Sequence, residues 1–338
     1  MTHISTIRIA MAISAQIAPL ALSALPRFPA ENVKKYYTVQ ILAAPVENKQ
    51  AMLSVYESLR DKGCFAYYYP KRVGDRQYLR LRTGIFESPA QARAHAADLR
   101  KNEGFDSFIT EAEVTVTRFK NQFSIVTAPS GIWLVTDASA NELYTPVRGQ
   151  IDRRHTAPQI APDGTAIVFY AGGRIVKVQL GMGQTQVLQE TVSDAGLLNS
   201  IVRWSPDGQC LAYLDAVEWE LPTKLWIMRT DGTENRRLIG DETGRTKVKS
   251  FFWHPRRNRV FYVVGPTHGT VSLGGSLCSV DLDGARRMIA EASPGDGTEV
   301  LSDFRIAGGL LYYRIVRHGP DGKEPQYSFH ELALSDLD

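Results

Sequence analysis

The C-terminal two-thirds of the chain repeats one pattern, in which a tight-turn motif precedes a short apolar run. Ala161-Pro162-Asp163-Gly164 precedes the apolar residues 166–169, and Ser205-Pro206-Asp207-Gly208 precedes residues 210–214. Proline restricts φ, aspartate closes a turn with its carboxylate, and glycine accepts a positive φ. The motif therefore predicts a turn that leads into a β-strand.

Further copies of this turn motif begin at residues 128 and 254 and near 306, so five copies are spaced by 33 to about 52 residues. An apolar pair precedes each copy, and further strand-like runs follow it, which predicts four short strands per repeat. Repeats of this length and content are typical of propeller blades. The pattern predicts an all-β propeller of about five blades over residues 118–338.

Residues 36–113 follow a different pattern. Alternating or β-branched runs at 37–42, 65–69, 77–83 and 105–109 predict four strands. Apolar residues at helical spacing predict a helix over 48–62, and Ser88-Pro89 predicts the start of a second helix. The order βαββαβ predicts a small α+β domain of the split-βαβ type, with both helices on one face of its sheet.

The sheet face away from the predicted helices, called the outer face below, has no helix to cover it. Side chains alternate between the two faces of a strand, so Tyr78, Arg80 and Arg82 are expected on the outer face, as is Gln40 in the first strand. Such a face offers hydrogen bonds and an aromatic ring to a ligand. The residue types on this face would fit an ordinary solvent-exposed sheet face, with no ligand, equally well.

Two runs in this domain, YYTVQI at residues 36–41 and YLRLRTGIF at residues 78–86, resemble those of SPOR domains. The resemblance covers about 78 residues in the same order of elements, with Ala43 where the family often has serine and Ile85 where it often has proline. It implies that the outer face binds peptidoglycan glycan strands stripped of stem peptides. The glycan-binding residues it implies, with Arg82 added because it shares the face, are Gln40, Ala43, Tyr78, Arg80, Arg82 and Ile109.

The best copy of the turn motif lies in the run VRWSPDGQCLAY at residues 202–213, which resembles the propeller repeats of TolB and its relatives. Such propellers serve as docking platforms, lids and enzyme scaffolds alike, so the resemblance implies a fold and leaves the activity open. The chain contains no Gly-x-Ser-x-Gly nucleophile motif. No catalytic residue is therefore predicted.

Residues 1–30 begin with a short region whose one positive side chain is Arg8, followed by an apolar stretch and small residues, which predicts a secretory signal peptide and linker. An uncleaved anchor or a disordered tail would give a similar pattern. No long apolar run follows residue 30, so contact with a membrane is expected only through an uncleaved N-terminal segment.

The composition of the chain argues against nucleic-acid binding and against a metal site. A net charge of +3 over 338 residues is small for a nucleic-acid-binding protein. RNA-recognition domains share the order βαββαβ, but this chain lacks their aromatic signature run. Three cysteines without a Cys-x-x-Cys pair, and without paired histidines, predict no metal site, and we expect no cofactor.

Together these patterns predict a multidomain periplasmic protein that is not an enzyme. Its small domain, residues 36–113, is expected to bind peptidoglycan glycan strands. Its propeller is expected to recruit another envelope protein. The alternative is a propeller-type hydrolase or lyase that acts on cell-wall sugars and is brought to them by the small domain.

Overall fold

The structure, a computed structural model, describes residues 35–120, 122–128, 130–136, 140–144, 156, 158–190, 202–215, 221–267, 274–293, 297–319 and 324–337. The signal peptide and linker predicted for residues 1–30 lie outside the described residues. Within the described ranges, no helix is both long enough and apolar enough to span a bilayer.

The N-terminal domain has the predicted order βαββαβ. Its elements are β1 (Tyr37–Pro45), α1 (Lys49–Asp61), β2 (Ala66–Val73), β3 (Arg76–Phe86), α2 (Pro89–Glu103) and β4 (Phe108–Glu111). The strands form one antiparallel sheet in the order β2-β3-β1-β4. The fold class predicted for this domain is therefore confirmed.

Local sequence explains where α2 begins and ends. Ser88 Oγ accepts a hydrogen bond from Gln91 N at 3.3 Å, and Gln91 Oε1 accepts one from Ser88 N at 3.2 Å. This reciprocal capping box satisfies two backbone donors at the helix start, and Pro89 fits the first turn because it has no N–H to satisfy. Gly104 ends the helix with φ of 73°.

Both helices pack on the same face of the sheet. Helix α1 buries Met52, Tyr56 and Leu59, and α2 buries Ala92 and Leu99. These side chains form one apolar core with Val39, Leu79 and Leu81 of the sheet. The helices therefore fix which sheet face is turned inward, and the outer face is the one left for other contacts.

The strands described after residue 114 fall into five units of four, as the repeat predicted. Unit 1 contains β5 (Thr115–Phe119), β6 (Phe123–Ala128), β7 (Gly131–Val135) and β8 (Ala140–Tyr144). Unit 2 contains β9 (Gln159–Ile160), β10 (Ala166–Ala171), β11 (Arg174–Gln179) and β12 (Gln184–Glu190). Unit 3 contains β13 (Val202–Trp204), β14 (Cys210–Leu214), β15 (Leu225–Arg229) and β16 (Arg236–Ile239).

Units 4 and 5 share one larger sheet. Unit 4 contains β17 (Thr246–Trp253), β18 (Arg259–Pro266), β19 (Gly274–Asp281) and β20 (Arg286–Ala290). Unit 5 contains β21 (Thr298–Leu301), β22 (Arg305–Ala307), β23 (Leu310–Arg317) and β24 (Gln326–Ala333). Strand β21 pairs with both β19 and β23 and so joins the two units.

The turn motif has the structural role that its residues predicted. Asp163 Oδ1 accepts hydrogen bonds from Thr165 N and Thr165 Oγ1, both at 2.9 Å. Asp207 Oδ1 accepts bonds from Ser205 Oγ at 2.6 Å and Gln209 N at 3.0 Å. Hydrogen bonds to a carboxylate lower its pKa. The pKa of Asp163 is lowered chiefly by the backbone N–H of Thr165, and that of Asp207 is lowered, against its partial burial, chiefly by the Ser205 and Asn258 side chains. These carboxylates hold their own turns.

Neighbouring units are joined by apolar packing and by the tryptophan before the motif. Trp204 Nε1 donates to Gln159 O of unit 2 at 3.0 Å, and Trp253 Nε1 donates to Arg203 O of unit 3 at 3.1 Å. One apolar cluster lies between units 3 and 4, and others join units 1 and 2, 2 and 3, and 4 and 5. Each unit therefore buries its faces against its neighbours in the chain.

Candidate functional site

The register of the sheet shows which side chains share the outer face, because residues paired across antiparallel strands lie on the same side. Gln40 pairs with Arg82, and Ala43 pairs with Arg80, which also pairs with Tyr69 of β2. The side chains on this face are Thr38, Gln40, Ala43, Tyr67, Tyr69, Lys71, Tyr78, Arg80, Arg82, Phe108 and Thr110.

A bulge in β1 brings Gln40 and Ala43 to the same face. Simple alternation would place two residues three apart on opposite faces. The register shifts between Gln40 and Leu42, so that Leu42 pairs with Leu81 and packs on the helix side. Ile41 is the extra residue of the bulge, so Ala43 lies on the outer face. This is the face on which the resemblance to SPOR domains places it.

Ile109 was wrongly expected on the outer face. It pairs with Val39 and packs into the core between the sheet and the helices. Its neighbour Phe108 pairs with Gln40 instead and is 57% exposed. Phe108 is thus an exposed aromatic side chain on the outer face. Alternation within the short strand β4 could not identify it, because which of its residues faces outward depends on the pairing with β1.

Only part of the outer face is open, which corrects the expectation that all of it is uncovered. Ala43 is exposed, and Tyr78 and Arg80 are half-buried. Gln40 and Arg82, in contrast, are only 4% and 1% exposed. We call the open side chains, Ala43, Lys71, Tyr78, Arg80 and Phe108, the exposed strip. We call the buried ones, Thr38, Gln40, Tyr67, Tyr69 and Arg82, the covered patch.

The last residue of β4 and the chain that follows it cover Arg82. Arg82 Nη1 donates to Glu111 O at 2.9 Å, and its Nη2 donates to the Tyr69 hydroxyl. The guanidinium also lies 4.3 Å from the centre of the Tyr69 ring. The Glu113 carboxylate is 3.9 Å from Arg82 and 3.5 Å from Lys71. Residues 111–113 therefore pass over the outer face and hold its buried arginine.

Unit 1 of the propeller covers the tyrosine end of the patch. Tyr67 packs with Ala128 and Trp133 in a small apolar cluster, and its ring centre lies 6.5 Å from that of Trp133. The N–H of Tyr68 donates to Ser130 Oγ at 3.0 Å. Burial raises the pKa of Tyr67 to about 12, because a phenolate loses its hydration there.

Ion pairs lie at the edges of this contact. Arg60 of α1 is 3.0 Å from Glu142 of β8, and Glu87 pairs with Arg118 of β5. A cleft of about 640 Å³ lies between the same two parts, with Tyr36 and Phe86 on one side and Phe123 on the other. The contact between the small domain and unit 1 is therefore packed around Tyr67 and open beside it.

Two histidines in the described part of the propeller, His254 and His318, have structural partners. His254 is buried, takes the position that Ser205 has in unit 3, and accepts a hydrogen bond from Arg256 N at 3.1 Å. His318 Nε2 lies 2.8 Å from Glu299 Oε1, and Glu299 Oε2 accepts from Gly274 N at 3.0 Å. Among the described residues, no three His, Cys, Asp or Glu side chains are grouped to hold a metal ion.

Comparison with known families assigns the small domain. The family model of the SPOR domain matches residues 33–111. Residues 33–111 form a SPOR domain. The assignment agrees with the βαββαβ order of the domain and with the sequence runs at residues 36–41 and 78–86. A comparison of the chain with curated proteins found no match.

Several solved propeller structures resemble the chain. TolB from Acinetobacter baumannii is 10% identical, with a TM-score of 0.38 over 82% of this chain and 83% of that one. A protein described as TolB from Agrobacterium tumefaciens is 15% identical, with a TM-score of 0.39 over 68% of this chain and 85% of that one. A prolyl endopeptidase is 11% identical, with a TM-score of 0.47 over 91% of this chain and 51% of that one. The propeller assignment rests on the five repeated units themselves, since similarity this low adds no argument of its own.

Proposed function

We propose that this chain is a non-enzymatic protein of the cell envelope, located in the periplasm. Its SPOR domain binds peptidoglycan glycan strands stripped of stem peptides, and its propeller is a scaffold for another envelope protein. The observation that carries the proposal is the SPOR domain at residues 33–111 with a polar, aromatic strip open on its outer face.

The chemistry of the exposed strip supports a sugar ligand. Arg80 and Lys71 supply hydrogen-bond donors for hydroxyl, acetamide and carboxylate oxygens. Tyr78 and Phe108 supply flat apolar surfaces for the faces of sugar rings. Ala43 lies opposite Arg80 and has no hydroxyl, so the arginine is the main donor at this point of the strip.

Binding to sacculi tests this proposal. We expect the full chain to pellet with sacculi that an amidase has stripped of stem peptides, and to pellet less with untreated sacculi. The change Arg80→Ala should weaken binding by about tenfold or more, the size expected for a charge-assisted hydrogen bond. Tyr78→Ala should weaken it by about two- to tenfold, the size expected for an aromatic contact.

Arg93→Ala is the matched control, because Arg93 is an exposed arginine on helix α2, which packs on the other face of the sheet. It should leave binding unchanged. Equal loss with Arg93→Ala and Arg80→Ala would show that general charge, rather than the outer face, carries the binding. No enrichment on stripped sacculi would refute the glycan proposal.

The same samples distinguish the enzymatic alternative. A scaffold leaves the glycan intact, so prolonged incubation should release no soluble sugar fragments. Fragments that appear with the full chain and increase with its concentration would establish a hydrolase or lyase instead. Cross-linking in intact envelopes, followed by identification of proteins bound through units 1–5, tests the scaffold role.

A further inference from the structure

The covered patch and the exposed strip lie on one sheet face, although only the strip is accessible. Tyr67, Tyr69 and Arg82 are 0%, 3% and 1% exposed. They lie in the same two strands as Lys71, Tyr78 and Arg80, two to four residues away along each strand. The cover therefore divides a continuous polar and aromatic surface in two.

The covered patch resembles a binding surface more than an apolar domain contact. It contains an arginine, a glutamine, a threonine and two tyrosines, whereas the helix side of the sheet is apolar. Gln40 Oε1 and Arg82 Nε are buried and have no hydrogen-bond partner among the described residues. Burial of a polar atom without a partner costs free energy, and release of the cover would recover it.

The contacts that hold the cover are of a kind that can separate. They include the cluster of Tyr67 with Trp133, the hydrogen bond from Tyr68 to Ser130, and the ion pairs made by Glu113, Glu142 and Arg118. The Glu113 and Lys71 side chains are about half-exposed, which makes their ion pair weak. The cleft beside the cluster leaves part of this contact open.

We propose that the segment at Glu113 and Val114, together with unit 1 of the propeller, forms an intramolecular cover that regulates the glycan site. This inference rests on the proposed function of the outer face. In the closed arrangement a glycan reaches only the exposed strip. When the cover moves away, Gln40 and Arg82 join Arg80 and Tyr78, and the site gains affinity.

The proposal links the two parts of the molecule. Any partner that binds unit 1 in a way that pulls it from Tyr67 would increase glycan affinity. By thermodynamic reciprocity, a glycan long enough to occupy the whole face would favour that same partner. Retention on the cell wall and recruitment of the propeller's partner would then reinforce each other.

Two changes in the full chain test the cover by different chemistry. Glu113→Gln removes the exposed ion pair with Lys71, and we expect it to tighten binding to stripped sacculi about two- to fivefold. Trp133→Ala removes the aromatic side chain over Tyr67 and should tighten binding about tenfold. Trp133→Ala removes a buried side chain and can therefore unfold unit 1. Glu113→Gln changes an exposed side chain, so it tests the cover even if the Trp133→Ala variant does not fold.

Hydroxyl-radical footprinting, read by mass spectrometry without glycan, reports the cover directly. Oxidation of Tyr67 and Tyr69 should increase in both variants relative to Tyr78, which is already half-exposed. Glu103→Gln is the matched control, since it removes an ion pair with Lys62 on the helix side. It should change neither the footprint nor the affinity.

The outcomes separate this inference from the proposed function. If the native chain binds stripped sacculi and Arg80→Ala weakens that binding, the proposed function stands. If in the same assay neither variant gains affinity, or the tyrosines stay protected in both, the cover does not regulate the site. If the native chain and all variants fail to bind, the proposed function itself is wrong.

Discussion

At the scale of single residues, the outer face shows how neighbours decide what a side chain can do. Arg80 and Arg82 are two residues apart on the same strand and face, yet Arg80 is half-buried and Arg82 is fully buried. The difference comes from Glu111 and Tyr69, which bind the Arg82 guanidinium. The two arginines therefore have different roles, although the alternating pattern of the strand predicts the same outward position for both.

Tyr67 gives a prediction at this scale. Folding raises the pKa of its phenol to about 12 from the ordinary value of 10.0, chiefly through burial. The folded state thus keeps a proton that the unfolded chain loses first. The resulting stabilisation is complete below pH 10 and is lost as the pH rises from about 10 to about 12.

We therefore expect Tyr67→Phe to be less sensitive to alkali than the native chain. Urea unfolding measured at steps between pH 9 and pH 12, a range chosen around that shift, should show a shallower fall in the free energy of unfolding for the variant. Parallel curves for the two proteins would show that the Tyr67 phenol is not buried in the folded state.

At the scale of elements, two irregularities in the SPOR sheet position the site. One is the bulge at Ile41 in β1, and the other is at Gly84 in β3, where the register shifts between Val39 and Tyr37. Gly84 has φ of 69°. After it, Phe86 returns to the helix side and packs against His95, with ring centres 5.1 Å apart and ring planes inclined by 45°.

Gly84→Ala should therefore be destabilising. A side chain at this φ is strained by about 1–2 kcal/mol. A Cβ here would also lie 2.3 Å from the Phe86 ring, so that ring would have to move. We expect the free energy of unfolding, measured in urea, to fall by about 2–3 kcal/mol when a displaced aromatic contact is included.

Gly74→Ala is the control for this change. Gly74 lies in the β2–β3 turn with φ of 58°, and a Cβ there would meet no atom within 4 Å. It should show the backbone strain alone, about 1–2 kcal/mol. Equal losses at the two glycines would mean that the Phe86 ring adapts without cost.

At the scale of the whole molecule, the same motif that closes each turn also joins the units. Trp253 donates to the backbone of unit 3, and Asn258 Nδ2 of unit 4 donates to Asp207 Oδ2 at 2.7 Å. The stability of such an array is approximately a sum over units and the contacts between neighbours. A change at one of these contacts should therefore weaken the propeller as a whole.

Trp253→Phe removes the inter-unit hydrogen bond and keeps an aromatic ring. We expect it to lower the free energy of unfolding by about 0.5–1.5 kcal/mol, as for a lost neutral hydrogen bond. Trp226→Phe serves as a comparison, because Trp226 Nε1 donates to Asp215 within unit 3. An unchanged unfolding midpoint for Trp253→Phe would show that the bond between units contributes nothing measurable.

Local patterns in the sequence were enough to predict the two-part organisation, the βαββαβ order and the five repeats. These features follow from hydrophobic periodicity, capping residues and turn chemistry, which act over a few residues. The runs around Gln40 and Tyr78 likewise identified the SPOR sheet and most of its outer face.

What the tertiary structure decided depends on contacts between distant residues. The bulge at Ile41 set the face of Ala43, and pairing with β1 turned Phe108 outward and Ile109 inward. The chain after β4 brings Glu113 to Arg82, and unit 1 packs on Tyr67. The pairing of β1 with β4 and the packing of one domain on another arise from residues far apart in the chain, for example Tyr68 and Ser130, which are 62 positions apart. No local pattern contains that information.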